Sequence, residues 1–327
     1  GDYAESLELS QQCLRIAEEV GDPGLLLEAH HALWGTYNFA GDYRRALAHM
    51  EAGMAYYQHP AHEELSQYYG WHDAACCALG TASLSLWHLG FLDQARQKQQ
   101  ALCSLCERLI QPLNIADGYG GIAELYVFLG NPAAAQPYAE MKYRTGLEQG
   151  HPGIRSGGAV LLGWSLAQQQ RIEEGIALLE QGLKEEQELR LCIRQSWKYV
   201  LLAEAYLLAG RLTDAIRTLD QGIADFARYR DEIYAPDLWT TKGLALLADG
   251  ADDAQVEACY TAALTLAREL RSRTSELRAA THLARLRQHQ GRRSEGRRLL
   301  SSIYNWFSEG LDTRDLLTAK ALLGELA

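Results

Sequence analysis

The sequence predicts an all-α fold built from repeated pairs of helices. Three observations predict it: a short turn recurs about every 40 residues, a small residue stands five positions after nearly every turn, and another stands seven positions before most turns. The turns begin at positions 1, 41, 90, 130, 170, 210, 250 and 291, so each interval is 40 or 41 residues except for one of 49. A regular period of this length is typical of solenoids, in which each unit buries its apolar face against its neighbours.

Each unit is predicted to contain two helices. Small residues before the turns, such as Gly163 and Ala203, let paired helices approach closely. Prolines stand 22 positions after a turn at three places, Pro23, Pro112 and Pro152, and because proline interrupts a helix they mark the second loop of a unit. No alternating strand pattern of useful length occurs. We therefore predict a single solenoid over residues 1–327, closed by a capping helix at about 315–326.

The composition argues against several classes of function. The 327 residues include 31 basic and 42 acidic side chains, a net charge of −11, which disfavours broad binding to nucleic acid or to anionic membranes. No stretch approaches the ~20 apolar residues of a membrane helix, and no signal-peptide pattern opens the chain. Seven cysteines, an odd number, favour a reducing cytoplasm over a disulfide framework. The chain starts part-way through the repeat pattern, so we expect it to be a fragment of a longer protein.

Sequence motifs for catalysis and for cofactors are absent. There is no G-x-x-x-x-G-K-[ST] phosphate loop, no dinucleotide-binding G-x-G-x-x-G, no G-x-S-x-G elbow and no H-E-x-x-H metal motif. We therefore expect neither enzymatic activity nor a bound cofactor.

Two stretches of the chain resemble known repeat families. The residues Leu33, Tyr37, Gly41, Tyr43 and Ala46, and Trp239 and Gly243 before Gly250, resemble tetratricopeptide repeats (TPRs). The usual TPR period is about 34 residues, so a period of 40 implies longer helices, similar to those in the sensor region of the bacterial maltose-operon activator. The resemblance implies a right-handed superhelix of antiparallel helix pairs.

The tail of the chain resembles a narrower group. The segments 275–280, 290–293 and 304–313, together with Tyr69–Asp73 and Asn38–Tyr57, resemble one group of large bacterial proteins. These proteins join a class III nucleotide cyclase domain, an AAA-type ATPase domain and TPR-like repeats, and the tail resembles their C-terminal region. This resemblance implies a role in bacterial signal transduction. The chain contains neither the cyclase nor the ATPase domain, so neither activity is assigned to it.

The TPR resemblance also implies a concave groove lined by the first helix of each pair. Exposed groove positions should lie 13, 10, 6 and 3 residues before each turn. In the middle of the chain they hold carboxylates and tryptophans: Trp87, Asp117, Glu124, Trp164, Trp197, Glu204 and Asp237. TPR domains that clamp a C-terminal carboxylate use Lys, Arg and Asn instead. An acidic, aromatic trough suits a peptide bearing Arg or Lys, or a sugar stacked on tryptophan. Binding requires accessible rings, whereas packing would bury them.

The interval of 49 residues carries an insertion of about nine residues. It is rich in His and aromatic side chains, namely His59, His62, Tyr68, Tyr69, Trp71 and His72. Insertions in repeat arrays often lie on the binding face, so a ligand loop is one interpretation. A longer loop or helix at the groove edge is the alternative and the favoured one.

Cysteine and histidine spacing admits a metal site without favouring it. His72, Cys76, Cys103 and Cys106 are spaced to face each other across two paired helices, as in a Cys₃His zinc site. Such cysteines usually fill gaps between helices as small apolar groups, so we expect no bound metal.

Ten arginines and three acids lie between Arg268 and Arg298. A charge run on helices is usually a solvated face. The alternative is a docking patch for an acidic surface, formed by Arg278, Arg285, Arg292 and Arg293.

Two functions stay open from the sequence. The first is a non-catalytic module that binds a peptide or protein, including its own effector domains. The second is a small-molecule sensor for a sugar-like ligand that controls an absent ATPase or cyclase domain. We also expect self-association through the first unit, because the helix that would cover Leu7 and Leu14 is missing, and we expect Leu7→Glu to abolish it.

Overall fold

The computed structural model describes residues 3–66, 72–191, 194–229 and 232–327. Within these ranges the chain forms helices and no strands, which confirms the all-α prediction. The helices, in chain order, are α1 (Tyr3–Val20), α2 (Pro23–Phe39), α3 (Tyr43–Met54), α4 (Ala61–Leu65), α5 (Ala74–Leu89), α6 (Leu92–Cys106), α7 (Pro112–Phe128), α8 (Pro132–Glu148), α9 (Pro152–Gln168), α10 (Ile172–Glu188), α11 (Gln195–Leu208), α12 (Leu212–Tyr229), α13 (Ala235–Ala248), α14 (Asp253–Glu269), α15 (Arg273–His289), α16 (Arg293–Tyr304) and α17 (Arg314–Glu325). None of the helices described is long and apolar enough to cross a membrane.

At the predicted turns a helix ends, and the residue that follows its last turn has a left-handed backbone conformation with positive φ. At Gly41, φ is 75°, and the next amide, Asp42 N, donates to Tyr37 O at 2.9 Å. This link closes the last turn of the helix and satisfies a carbonyl that would otherwise lack a partner. Positive φ recurs at Gly90, Gly130, Gly210, Gly250 and Gly291. At the equivalent place in the remaining turn, Gln170 has a φ of 69° although it is not glycine.

The prolines and the chain end also match the sequence pattern. Helices α2, α7 and α9 begin at Pro23, Pro112 and Pro152. Proline suits the first position of a helix, where its fixed φ is already helical and its missing N–H leaves no bond unmade. The capping helix α17 runs from Arg314 to Glu325, one residue earlier at each end than predicted.

Close contact between paired helices depends on the small residues, as predicted. An added Cβ at Gly163 would lie 2.7 Å from Gly175 O and 2.9 Å from Leu179 N. Because backbone atoms cannot move aside as a flexible side chain can, only glycine fits at this approach of α9 to α10.

By their internal packing the residues form two compact units. Unit 1 comprises Gly1–Trp87, Gln94–Leu162 and Gln181–Leu191, and unit 2 comprises His88–Asp93, Gly163–Glu180 and Cys192–Ala327. In unit 2, α11, α13, α15 and α17 pack side by side in a row, and α12, α14 and α16 pack against α11, α13 and α15. The single continuous solenoid over residues 1–327 stays a prediction.

Helix α1, in unit 1, exposes a different face from the one predicted. Leu7 and Leu14 are partly buried and pack against the core cluster that contains Trp34, so the expectation that they are uncovered is wrong. Leu9, Ile16 and Val20 are instead 55%, 51% and 60% exposed. These three residues follow helical spacing and form an apolar stripe on the outer side of α1.

Candidate functional site

The first-helix surface consists of the positions 13, 10, 6 and 3 residues before each turn on α2, α5, α7, α9, α11, α13 and α15. In unit 2, matching positions of neighbouring helices contact each other. Asp237 and Arg278, each 13 residues before a turn, have Oδ1 and Nη1 3.4 Å apart. Trp164 and Glu204, each six residues before a turn, share a hydrogen bond of 2.8 Å from the indole Nε1 to Oε2. The repeat period therefore brings predicted site residues together.

Glu204, Asp237, Arg278 and Asp315 form the charged cluster of unit 2. Arg278 donates from Nε to Asp315 Oδ2 at 2.6 Å and from Nη1 to Asp237 Oδ1 at 3.4 Å. Burial raises the pKa of the Asp237 carboxyl, although Arg278 acts in the opposite direction. Burial also disfavours the Arg278 cation, but Asp315 and Asp237 outweigh it and raise the pKa of the guanidinium. The cluster holds three carboxyl groups and one guanidinium, an excess of acidic groups.

Within the described residues, Glu204 is the acid of this cluster that forms no ion pair with Lys or Arg. Its half-buried carboxyl group accepts hydrogen bonds from Trp164 Nε1 at 2.8 Å and from Gln168 Nε2 at 3.5 Å. Burial raises the pKa of Glu204, and the Trp164 hydrogen bond and the charge of Arg278 only partly offset this. A carboxylate held mainly by neutral donors in a half-buried place can accept a further cation.

The three tryptophans predicted to be open for stacking are buried. Trp87, Trp164 and Trp197 retain 1%, 3% and 4% of their surface. Trp87 packs against Phe128 with ring centroids 4.7 Å apart, and Trp197 stacks on Tyr234 at 6.0 Å. The prediction of accessible rings is therefore wrong, because these side chains fill the space between helices.

The predicted groove acids of unit 1 lie on α7. Asp117 forms an ion pair with Lys142, with Nζ and Oδ1 3.2 Å apart, which offsets its charge. Glu124 is half-buried. Asp117 is thus less available to a ligand than its position in the sequence suggested.

The described part of the insertion docks onto unit 1. It contains α4, where the buried Glu63 accepts hydrogen bonds through Oε1 from the backbone amides of Ile110 and Gln111, both at 2.8 Å. These amides immediately precede α7, so Glu63 ties α4 to the connection that leads into α7. His59 lies beside Glu63, with Nε2 and Oε2 3.2 Å apart, and His62 Nδ1 accepts from a backbone amide. The predicted site residues Tyr68, Tyr69 and Trp71 lie outside the described residues.

The Cys₃His set that the sequence admits without favouring, His72, Cys76, Cys103 and Cys106, does not come together as one group in the described residues. The described residues contain one group of three or more potential metal ligands within 4.8 Å of one another, and it includes none of the three cysteines. Cys76 and Cys106 line the gap beside Gly118, where an added Cβ would lie 3.2 Å from Cys76 Sγ and closer still to Cys106 Sγ. Cys103 hydrogen-bonds Tyr138. Cys76 and Cys106 thus have the packing role favoured from the sequence.

His72 instead joins His31 and Cys77 in a half-buried cluster of unit 1. The two imidazole Nε2 atoms are 3.1 Å apart, and His31 Nδ1 lies 2.9 Å from Glu28 Oε2. Burial lowers the pKa of His31, but Cys77 and Glu28 outweigh it and raise it to about 9. Burial also raises the pKa of the Cys77 thiol, but the two histidines outweigh it and hold that pKa well below its ordinary value.

The position of each residue relative to the next turn gives a sequence signal for this cluster. Cys77 stands 13 residues before Gly90, as Glu28 stands 13 residues before Gly41. Both therefore belong to the first-helix surface. The sequence pattern did not reveal Cys77 as a site residue because the cysteines were compared with one another and not with their distance from the next turn.

The predicted basic docking patch is only partly open. Arg278 is paired within the charged cluster of unit 2, and Arg292 forms an ion pair with Glu257, with Nη1 and Oε2 3.0 Å apart. The prediction of a free patch is wrong for these two residues, because their charges are used within the chain. The exposed members are Arg285 and Arg293.

The helix pairs and the first-helix surface define a TPR-like helical-repeat protein. The chain is similar in fold to NprR in complex with its cognate peptide NprX, with 12% identity over 92% of this chain and 82% of that chain and a TM-score of 0.58. It is also similar to the apo form of the quorum sensor NprR from B. thuringiensis, with 13% identity over 95% and 82% of the two chains and a TM-score of 0.53. The apo form of RapI gives 11% identity over 89% and 99%, with a TM-score of 0.51.

Comparison with known sequences gives less information than comparison with solved structures. No protein-family profile matches the chain. An uncharacterized protein of Rhizobium meliloti (strain 1021) is 32% identical over 72 residues, which cover 22% of this chain and 7% of that protein. The match therefore spans a small part of that relative, and the low identities to the solved structures show the fold alone.

Proposed function

We propose that this chain is a non-catalytic module that binds a peptide or protein segment carrying a Lys or Arg side chain at the first-helix surface of unit 2. The observation that carries the proposal is the environment of the Glu204 carboxyl group. Its carboxyl group is half-buried and hydrogen-bonded by Trp164 and Gln168, and within the described residues it has no Lys or Arg partner.

A ligand cation would relieve the cost of this burial. A carboxylate withdrawn from water loses solvation that neutral hydrogen bonds only partly replace. An ammonium or guanidinium group placed against it restores the missing charge in a medium where ion pairing is stronger than in bulk water. Truncating one partner of a buried, hydrogen-bonded charge pair at an interface typically costs about 2–5 kcal/mol of binding free energy. Asp237 and Asp315 both form ion pairs with Arg278, whereas Glu204 forms no ion pair with Lys or Arg among the described residues. We therefore assign this attraction to Glu204.

The fold supports a peptide over a sugar. One of the similar solved structures is a complex of NprR with its cognate peptide NprX. The sugar hypothesis depended on open tryptophan rings, and Trp87, Trp164 and Trp197 are buried. We therefore favour a peptide or protein partner.

The wider setting is also a proposal. The resemblance of the tail to bacterial cyclase–ATPase proteins supports a module that regulates an effector domain in signal transduction. The odd number of cysteines supports a cytoplasmic location.

Binding to an immobilised library of short peptides tests the proposal. We expect the wild-type chain to retain peptides that share a Lys or Arg, and Glu204→Gln to lose them. Glu173→Gln is the matched control, since Glu173 is exposed on α10 outside the first-helix surface. Binding to no peptide, or retention that is independent of basic residues, would overturn the proposal.

A further inference from the structure

We propose that His31, His72 and Cys77 of unit 1 bind one Zn²⁺ ion. His31 lies on α2, Cys77 lies in the first turn of α5, and His72 lies two residues before α5 begins. Each side chain offers one ligand atom, and these atoms lie within 4.8 Å of one another in a half-buried place. The inference stands apart from peptide binding, because it concerns different residues in a different unit.

The spacing of the nitrogens matches a shared metal ion. Zinc binds imidazole nitrogen at about 2.0–2.1 Å in tetrahedral sites, so two ligand nitrogens should lie about 3.3–3.4 Å apart. The Nε2 atoms of His31 and His72 are 3.1 Å apart, and the rings are nearly perpendicular, with 89° between their planes. A small shift of either ring gives the tetrahedral separation.

A neighbouring acid prepares His31 to act as a ligand. Glu28 lies one turn before His31 on α2, and its Oε2 is 2.9 Å from His31 Nδ1. A hydrogen bond from Nδ1–H to this carboxylate leaves the lone pair of Nε2 directed at the cluster. Carboxylates placed in this way behind metal-binding histidines fix the ring and raise its basicity.

The donor set favours zinc over the common hard cations. One sulfur and two imidazole nitrogens suit Zn²⁺, whereas Ca²⁺ and Mg²⁺ prefer oxygen ligands. Three protein ligands leave a fourth position for water or for an incoming group. An ion held here would fasten His72, at the end of the insertion, to both α2 and α5.

Metal analysis of the chain purified without a histidine tag tests the proposal. After chelation and re-addition of zinc, we expect one equivalent bound per chain and a rise in the unfolding temperature. In the Co²⁺-substituted protein we expect a thiolate-to-cobalt charge-transfer band and tetrahedral d–d bands. Cys77→Ser should abolish the charge-transfer band, and His72→Ala should remove stoichiometric binding.

Further variants separate ligation from folding. Cys103→Ser and His289→Ala replace a cysteine and a histidine outside the cluster and should bind zinc like the wild type. Glu28→Ala, which keeps all three ligands, should weaken zinc affinity about 10–100-fold. Circular dichroism shows whether each variant is folded. Sub-stoichiometric zinc in the wild type, or a charge-transfer band that survives in folded Cys77→Ser, would overturn the proposal.

Discussion

His88 is a buried histidine whose titration should make the protein sensitive to mild acid. It lies in unit 2, is 1% exposed, and has its Nδ1 2.9 Å from Ser272 Oγ. The Ser272 hydroxyl donates to Ser275 Oγ, so the Nδ1–H of a neutral His88 donates to Ser272. Burial lowers the pKa of His88 to about 3, and the positive charges of Arg278 and Arg194 act in the same direction.

The direction and size of the effect follow from linkage. The pKa of His88 falls from 6.5 in the unfolded chain to about 3 in the folded one, so the unfolded state binds a proton more readily. The stabilisation is present in full above the unfolded pKa and is lost as the pH falls towards the folded pKa. Between about pH 7.5 and about pH 5, His88 alone should lower the free energy of unfolding by about 2 kcal/mol.

Urea denaturation of the wild type and His88→Asn at these two pH values measures this loss. Asparagine removes the titration while keeping an N–H near the position of Nδ1. We expect the loss of unfolding free energy on acidification to be about 2 kcal/mol smaller in the variant. His282, whose pKa is lowered to about 4 by burial and by Arg285, should supply a similar loss in both proteins. Equal acid sensitivity in the two proteins would show that His88 does not cause this loss of stability.

Three further pairs of substitutions test the fold and the surfaces around it. Gln170→Gly should raise the unfolding temperature, because it removes the cost, about 1 kcal/mol, of holding a non-glycine residue at positive φ. Gly210→Ala, at a φ of 70°, should lower the unfolding temperature for the same reason. Unchanged unfolding temperatures in both variants would contradict this expectation. Glu63→Ala should cost about 3 kcal/mol or more of unfolding free energy in urea, since two backbone amides lose their side-chain acceptor. Glu63→Gln, which keeps an acceptor oxygen, should cost less, and equal losses would count against the role of these two hydrogen bonds. If the apolar stripe on α1 mediates self-association, Ile16→Glu should reduce the molecular mass measured by light scattering. Leu7→Glu should instead destabilise the folded chain, because Leu7 packs against the core. An unchanged mass for Ile16→Glu would show that the stripe is not the interface.

The fold was predictable because its signals are local. A residue such as Gly41 marks a helix end through its own φ, and a proline such as Pro112 marks a helix start through its own ring. These signals recur at a fixed period, so weak evidence at one place is strengthened by the next. The one turn without glycine, at Gln170, was still found from its neighbours.

The site was less predictable because burial and pairing depend on the neighbouring helices. The frame placed Trp164 and Glu204 at matching positions, but it could not show that the indole would be buried and bonded to the carboxylate. Likewise the sequence shows Arg278 only as one of a run of arginines, whereas in the structure Asp237 and Asp315 lie against it. The contact of His31 with His72 depends on the path of the insertion, which no periodic pattern describes.

The affinity of one basic peptide for the wild type, Glu204→Gln and Glu173→Gln shows whether Glu204 binds the cation of the ligand. Isothermal titration of a peptide recovered from the library, and of the same peptide with its Lys or Arg replaced by Gln, gives the binding free energies. We expect Glu204→Gln to weaken binding of the basic peptide at least about tenfold, or about 1.4 kcal/mol, and Glu173→Gln to have little effect. The neutral peptide should bind the wild type and Glu204→Gln with the same affinity. Equal affinity of wild type and Glu204→Gln for the basic peptide would contradict this role of Glu204.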